Sequence, residues 1–274
     1  MLRLALLALL AVSSAASAVV IRHDVEDAAY RIPAAEFPAL VDMPGEGQGV
    51  LIAPQWVLTA AHTIAHPATL GHVELNGRRR AVDRVVVHPG YATPPQSMID
   101  QALASGEGVL LVAFLATTDD LALVSLVEPV DDVEPVGLYR GRDEHGQTVR
   151  IIGKGATGDG ATGHDRRGPN RTQLRRAYNT VSSAHERWFC YVFDAPPAGL
   201  PLEGTTGNGD SGGPVLIQAG GQWQLAGLAA WKFVPGDIRT ARPGRYGQTS
   251  CNVRLGHYLA WIDLMTGAAP ADED

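Results

Sequence analysis

Short apolar runs, cut apart by turn residues, recur through nearly the whole chain and restrict what it can fold into. A first series covers 37–42, 48–52, 56–59, 72–75, 80–88 and 120–126. Pro44-Gly45, Asn76-Gly77 and Pro89-Gly90 punctuate it. A second series covers 147–153, 173–181, 188–193, 213–218, 222–231 and 247–255. Many short strands at close spacing with Gly/Pro turns indicate an all-β sandwich or barrel. Two stretches depart from that pattern. The segment 91–119 opens on Pro94-Pro95, reads as helical over 98–105 and is continuously apolar over 109–116. It either walls one end of a cleft or packs on the first strand series. The last periodic stretch, 256–265, predicts an amphipathic helix stopped by Gly267.

The N-terminus reads as an export signal. Arg3 is followed by an apolar run from Leu4 to Val12 and by Ala16-Ser17-Ala18, which are the charged, apolar and A-x-A regions of a cleaved leader. The run is too short to span a bilayer. Cleavage after Ala18 would start the product at Val19 and send it to the periplasm or the medium, with no membrane attachment. Net charge is −7, which argues against a nucleic-acid partner. Arg78-Arg79-Arg80 and Arg175-Arg176 read as solvated strand faces, and Ala271-Asp272-Glu273-Asp274 as a disordered acidic tail. The glycine-rich 153–170 segment lacks a phosphate-loop pattern and a spaced carboxylate set for calcium. It reads as a flexible surface loop, and no metal or cofactor is expected.

The chemistry centres on Gly207-Asn208-Gly209-Asp210-Ser211-Gly212-Gly213-Pro214-Val215. Flanking glycines let the backbone take φ > 0. Such a turn can push the Ser211 hydroxyl into a cleft and aim the N–H groups of Gly209 and Ser211 at one point, where a tetrahedral oxyanion would sit. Alone, the stretch is equally a Gly-rich turn with an incidental serine. Upstream, Gln55-Trp56-Val57-Leu58-Thr59-Ala60-Ala61-His62 is an apolar strand ending in a histidine, and Asp119-Asp120-Leu121-Ala122-Leu123 is an acid leading an alternating strand. The chain order His62, Asp120, Ser211 is one of the known orders of a Ser-His-Asp triad.

TAAH at 59–62, DLAL at 120–123 and GDSGGPV at 209–215 resemble the trypsin/chymotrypsin family of serine peptidases, in a bacterial-type secreted form. The resemblance runs from about Phe37 to Ile262. It implies two six-stranded antiparallel β-barrels, about 30–130 and about 136–255, joined near Pro129–Pro135, with a C-terminal helix over 256–266. With the leader at 1–18, the peptidase domain is 19–267 and the tail 268–274. The triad would straddle the groove between barrels, with Ser211 as nucleophile, His62 as base and Asp120 as orienting acid. Gly209 and Ser211 supply the oxyanion donors. Asp119 is read as a solvated turn residue, and Asp210 as pointing away from the cleft. Thr205, Trp231 and Lys232 correspond to the substrate pocket, and Ala230 stands where a serine is usual. Thr205 replaces the acid of trypsin-like pockets, so Lys or Arg specificity is not supported. Lys232 replaces a glycine; it obstructs large side chains, attracts acidic ones or points into solvent.

The two cysteines, Cys190 and Cys251, fall on strands that neighbour each other in the family fold, so a cross-strand disulfide is expected. Thr63 stands where the family carries a cysteine beside its histidine. The implied function is a secreted, monomeric serine endopeptidase acting on proteins or peptides. Alternatives are a catalytically silent homologue that binds through the same scaffold, or a serine esterase.

Overall fold

The computed structural model describes residues 19–64, 70–165 and 173–268. The expected leader, the acidic tail and residues 166–170 of the glycine-rich segment lie outside them. In chain order the strands are β1 (Val19–Ile21), β2 (Leu40–Asp42), β3 (Gln48–Ala53), β4 (Trp56–Thr59), β5 (His72–Leu75) and β6 (Arg78–Val87). Helices α1 (Gln96–Ser105) and α2 (Val109–Thr117) follow, then β7 (Ala122–Leu126), β8 (Thr148–Gly153), β9 (Thr157–Asp159) and β10 (Gly163–His164). The chain continues with β11 (Arg175–His185), β12 (Trp188–Val192), β13 (Gly204–Thr205), β14 (Pro214–Ala219), β15 (Gln222–Phe233), β16 (Thr249–Arg254) and α3 (Leu255–Thr266).

Two closed barrels result. One has the order β2-β3-β4-β7-β6-β5, the other β11-β12-β16-β15-β14-β8, and every pairing in both is antiparallel. Closure removes the free strand edges that would invite aggregation. Turn chemistry sets the registers. Asn76 at φ 51° and Gly77 at φ 70° form the two-residue link between β5 and β6, the left-handed pair that matches strand twist. Inward side chains fill each barrel. Val50, Leu58, Val73, Leu75 and Leu123 are buried in the first, and Val149, Ile151, Phe189, Tyr191 and Ile217 in the second. Each is worth about 2 kcal/mol relative to an exposed position. Tyr258 and Ile262 of α3 join the cluster that holds the first-barrel residues.

Cys190 and Cys251 are opposite each other on β12 and β16 and form a disulfide. It closes a loop of 61 residues. Replacing both by serine is expected to cost about 4 kcal/mol by loss of chain-entropy restraint, read as a lower denaturation midpoint under non-reducing conditions.

Three readings change. The described part of the glycine-rich segment is ordered: β9 and β10 join β1 and β13 in a small sheet of order β10-β9-β1-β13. Backbone pairing, invisible in a segment so poor in apolar residues, decides it. Arg175 is fully buried, not solvated. Its guanidinium is held bidentately by Asp27 at 2.6 and 2.9 Å. Arg78 is exposed and Arg80 half-buried, both on Asp132. Finally, the α1–α2 insert crosses to the second barrel. Ile238 N–H donates to Gly106 O at 2.9 Å, and the Trp188 indole N–H to Ala116 O at 2.9 Å.

Candidate active site

Strand register brings the first two residues together. Thr59 of β4 is paired with Ala122 of β7. Because the strands are antiparallel, His62, just past the end of β4, meets Asp120, just before the start of β7. The His62 ring Nδ1 lies 2.7 Å from Asp120 Oδ2, and the His62 backbone N–H donates to Asp120 Oδ1 at 2.9 Å. Thr63 hydroxyl donates to Ala60 O at 2.8 Å and fixes the turn that carries the histidine. Burial alone would lower the His62 pKa; the Asp120 charge and hydrogen bond, with Glu46 further off, raise it overall above the ordinary histidine value.

Ser211 sits on the turn between β13 and β14. That turn docks on the first barrel: Gln48 N–H donates to Ser211 O at 2.7 Å. Gly212, at φ +73°, passes so close that a Cβ there would lie 2.2 Å from Gln48 O and 2.3 Å from Thr59 Oγ1. Only glycine fits such a contact in that conformation. Asp210 points inward, away from the cleft, and is 1% exposed. It accepts from Gly155 N–H and Gly207 N–H, both at 2.7 Å, and from the Gln48 amide at 3.2 Å. Burial pushes the Asp210 carboxyl up to about 6, against those backbone donors, the Lys232 charge and Gln48. Among the described residues, neither the Gly209 nor the Ser211 N–H finds an acceptor in the protein.

His62, Ser211, Gly207, Asn208 and Gly209 line one open cleft of about 590 Å³, with Lys232 on its wall and Glu46 at its rim. The other expected pocket residues are not on that surface. Thr205 is buried behind it, its hydroxyl 2.6 Å from that of Ser250. Trp231 turns the other way and packs edge-on against Trp188 at 5.5 Å between ring centroids. Period-two alternation on β15 separates the two neighbours: Lys232 faces the cleft and Trp231 leaves it. Among the described residues no cluster of His, Cys, Asp and Glu is arranged to hold a metal.

Asp119 is not a solvated turn residue. It is 9% exposed and accepts from Arg187 Nε at 2.6 Å and the Tyr258 hydroxyl at 2.9 Å, with His88 at 3.3 Å. Arg187 and Tyr258 lie on the second barrel and α3, too far along the chain for sequence spacing to reveal. Gln48 and Gly155 were missed for the same reason. Gly155 reaches Asp210 from elsewhere in the second barrel, and Gln48 does so only once the two barrels meet.

The family model described as Trypsin matches residues 29–262. The chain belongs to the trypsin family. Among its relatives, vitamin K-dependent protein C of Rattus norvegicus is 27% identical over 234 residues, covering 80% of this chain and 46% of that protein. The chain thus spans about half the length of that relative. Serine protease SP24D of Anopheles gambiae is 28% identical over 233 residues, covering 78% and 69%. Mouse neuropsin, a serine protease of the limbic system, superposes with a TM-score of 0.61 at 20% identity, over 86% of this chain and 98% of its own. At that identity the likeness concerns the fold. All three come from animals, so they lend nothing to the bacterial-type origin expected from sequence.

Proposed function

We propose that the chain is a secreted serine endopeptidase whose nucleophile is Ser211, whose base is His62 and whose orienting acid is Asp120. The observation that carries this is the His62–Asp120 pair, 2.7 Å apart, on the same cleft as Ser211. A free hydroxyl is too weakly acidic to attack an amide, so a base must take its proton. With Nδ1–H donated to Asp120, the other ring nitrogen is left as acceptor for the Ser211 proton. The attacked carbonyl becomes an oxyanion, received by the unsatisfied N–H groups of Gly209 and Ser211. His62 then returns the proton to the leaving amine, the acyl group stays on Ser211, and water releases it by the same steps in reverse. Among the described residues no helix is long and apolar enough to cross a membrane.

A fluorophosphonate probe should label the protein, with the modified peptide containing Ser211, and a peptide-library digest should show cleavage at internal amide bonds. Labelling without peptide cleavage points to an esterase; no labelling points to a binding homologue and ends the enzymatic reading.

The same reading gives Val19 a part. It is buried, and on β1 it lies opposite Thr157, two residues from the Gly155 N–H that holds Asp210. An amine freed there by leader cleavage emerges beside a buried carboxyl that is short of a cation. Extending the mature N-terminus by a few residues is expected to lower kcat/KM about tenfold or more; unchanged activity refutes the role.

A further inference from the structure

Among the described residues, the cleft holds one cation that the acyl-transfer chemistry does not use, Lys232. Lys232 lies on β15, the strand tied to the serine turn by Gly212 N–H donating to Ala229 O at 2.8 Å and Ala229 N–H donating to Gly213 O at 2.9 Å. Three residues along a strand span about 10 Å, and a lysine side chain covers much of that. Lys232 is half-buried, and its side chain makes no hydrogen bond or ion pair among the described residues. Burial pulls the ammonium down to about 8, against the pull of Asp210, so it remains mostly charged at neutral pH. Asp210 attracts it only from a distance: among the described residues no ion pair or hydrogen bond joins the two side chains. Among the described residues Glu46 is the one carboxylate lining the cleft, and it lies on the first barrel, near enough to His62 to act on its charge, with no ion pair to the lysine. A partly desolvated charge with no counterion is an incomplete pair.

We propose that a substrate carboxylate completes it: Lys232 selects glutamate or aspartate at the residue whose carbonyl Ser211 attacks. This rests on the endopeptidase reading. A basic side chain at the same place meets like charge, and a neutral one leaves the ammonium unpaired. The structure removes the competing determinant from the floor of the pocket, since the Thr205 hydroxyl is engaged by Ser250.

The test is a set of chromogenic peptides identical except for that residue, which is Glu, Asp, Gln, Leu or Lys, run alongside fluorophosphonate labelling of the same preparation. Glu or Asp should exceed Gln in kcat/KM by about tenfold or more, the range of a hydrogen bond to a charged group, and Lys should be the poorest. Raising salt from about 0.05 to about 0.5 M should compress the Glu-to-Gln ratio. Lys232→Gln should bring that ratio close to one, and Lys232→Glu should move preference toward Lys. The ratio is internal to each preparation, so partial misfolding of a variant does not obscure it, and the salt arm needs no variant. Labelling of Ser211 with Gln cleaved as well as Glu overturns the role of Lys232 and leaves the peptidase intact. Absence of both labelling and cleavage overturns the peptidase reading, and this inference falls with it.

Discussion

Asp120→Asn is expected to lower kcat about 10⁴-fold, the loss known for trypsin-type triads and carried over from them, with KM little changed. Both Asp120 oxygens accept from the histidine, one from the ring and one from its backbone N–H. A carboxamide has only one acceptor oxygen. If that oxygen keeps the backbone N–H, the amide NH₂ faces Nδ1 and the ring must turn that nitrogen into an acceptor. The proton then sits on the nitrogen that should take one from Ser211. A loss confined to kcat identifies an interaction made in the transition state rather than in substrate binding. The pH profile gives a second reading. In the native protein Asp120 raises the His62 pKa above its ordinary value, overcoming burial. Activity needs neutral imidazole, so the acid limb of kcat/KM should have its midpoint above about 6.5 and move to lower pH in the variant's residual activity. A loss under tenfold, or an unmoved acid limb, contradicts the assigned role.

Asp27→Asn should cost about 3 kcal/mol of stability, at the low end for breaking a buried ion pair. Arg175 is 0% exposed, and Asp27 supplies both oxygens to it. Among the described residues only the Gln173 carbonyl, at 2.8 Å, shares the guanidinium. Removing the charge on Asp27 therefore strands a cation in the interior. The low end applies because the Asp27 side chain is 29% exposed, so water partly replaces what is lost. Burial by itself would raise the Asp27 carboxyl; hydrogen bonds and charge from Arg175, then Arg31, more than reverse this and hold it below the usual range. For an acid with a depressed folded-state pKa, the stabilisation is complete above the unfolded value of about 3.9 and is lost as pH falls through the folded value. Denaturant midpoints should thus fall more steeply in the native protein than in the variant as pH drops from about 5 to about 2. Arg175→Met added to Asp27→Asn should recover part of the loss, because a well-packed apolar side chain replaces an unpaired charge. A midpoint unchanged in Asp27→Asn contradicts the assignment.

Much of the fold could be read from sequence because its signals are local. Alternating strands, the Asn76-Gly77 turn and the apolar face of α3 each carry their meaning within a few residues. The Cys190–Cys251 pairing and the two barrels followed from the family resemblance. His62, Asp120 and Ser211 were legible for a related reason: each sits in a short motif at a strand end. What escaped depended on partners far along the chain. Arg175 looks like a surface cation until Asp27 is placed against it. The residue before the orienting acid shows nothing of Arg187 or Tyr258. Thr205 and Trp231 were placed on the cleft by resemblance, and the hydroxyl of Ser250 and the ring of Trp188 draw them elsewhere. The helices of 96–117 were half visible, because a wholly apolar run does not say which neighbour will cover it.

Asp119 fastens the loop that carries Asp120 to the second barrel and to α3, while Lys154 reaches back to Asp42 at 2.7 Å. Lobes that swung freely would lose that hinge freedom each time a peptide settled between them. Here those contacts remove it on folding, so under the endopeptidase reading each turnover would begin with the gap already at its working width.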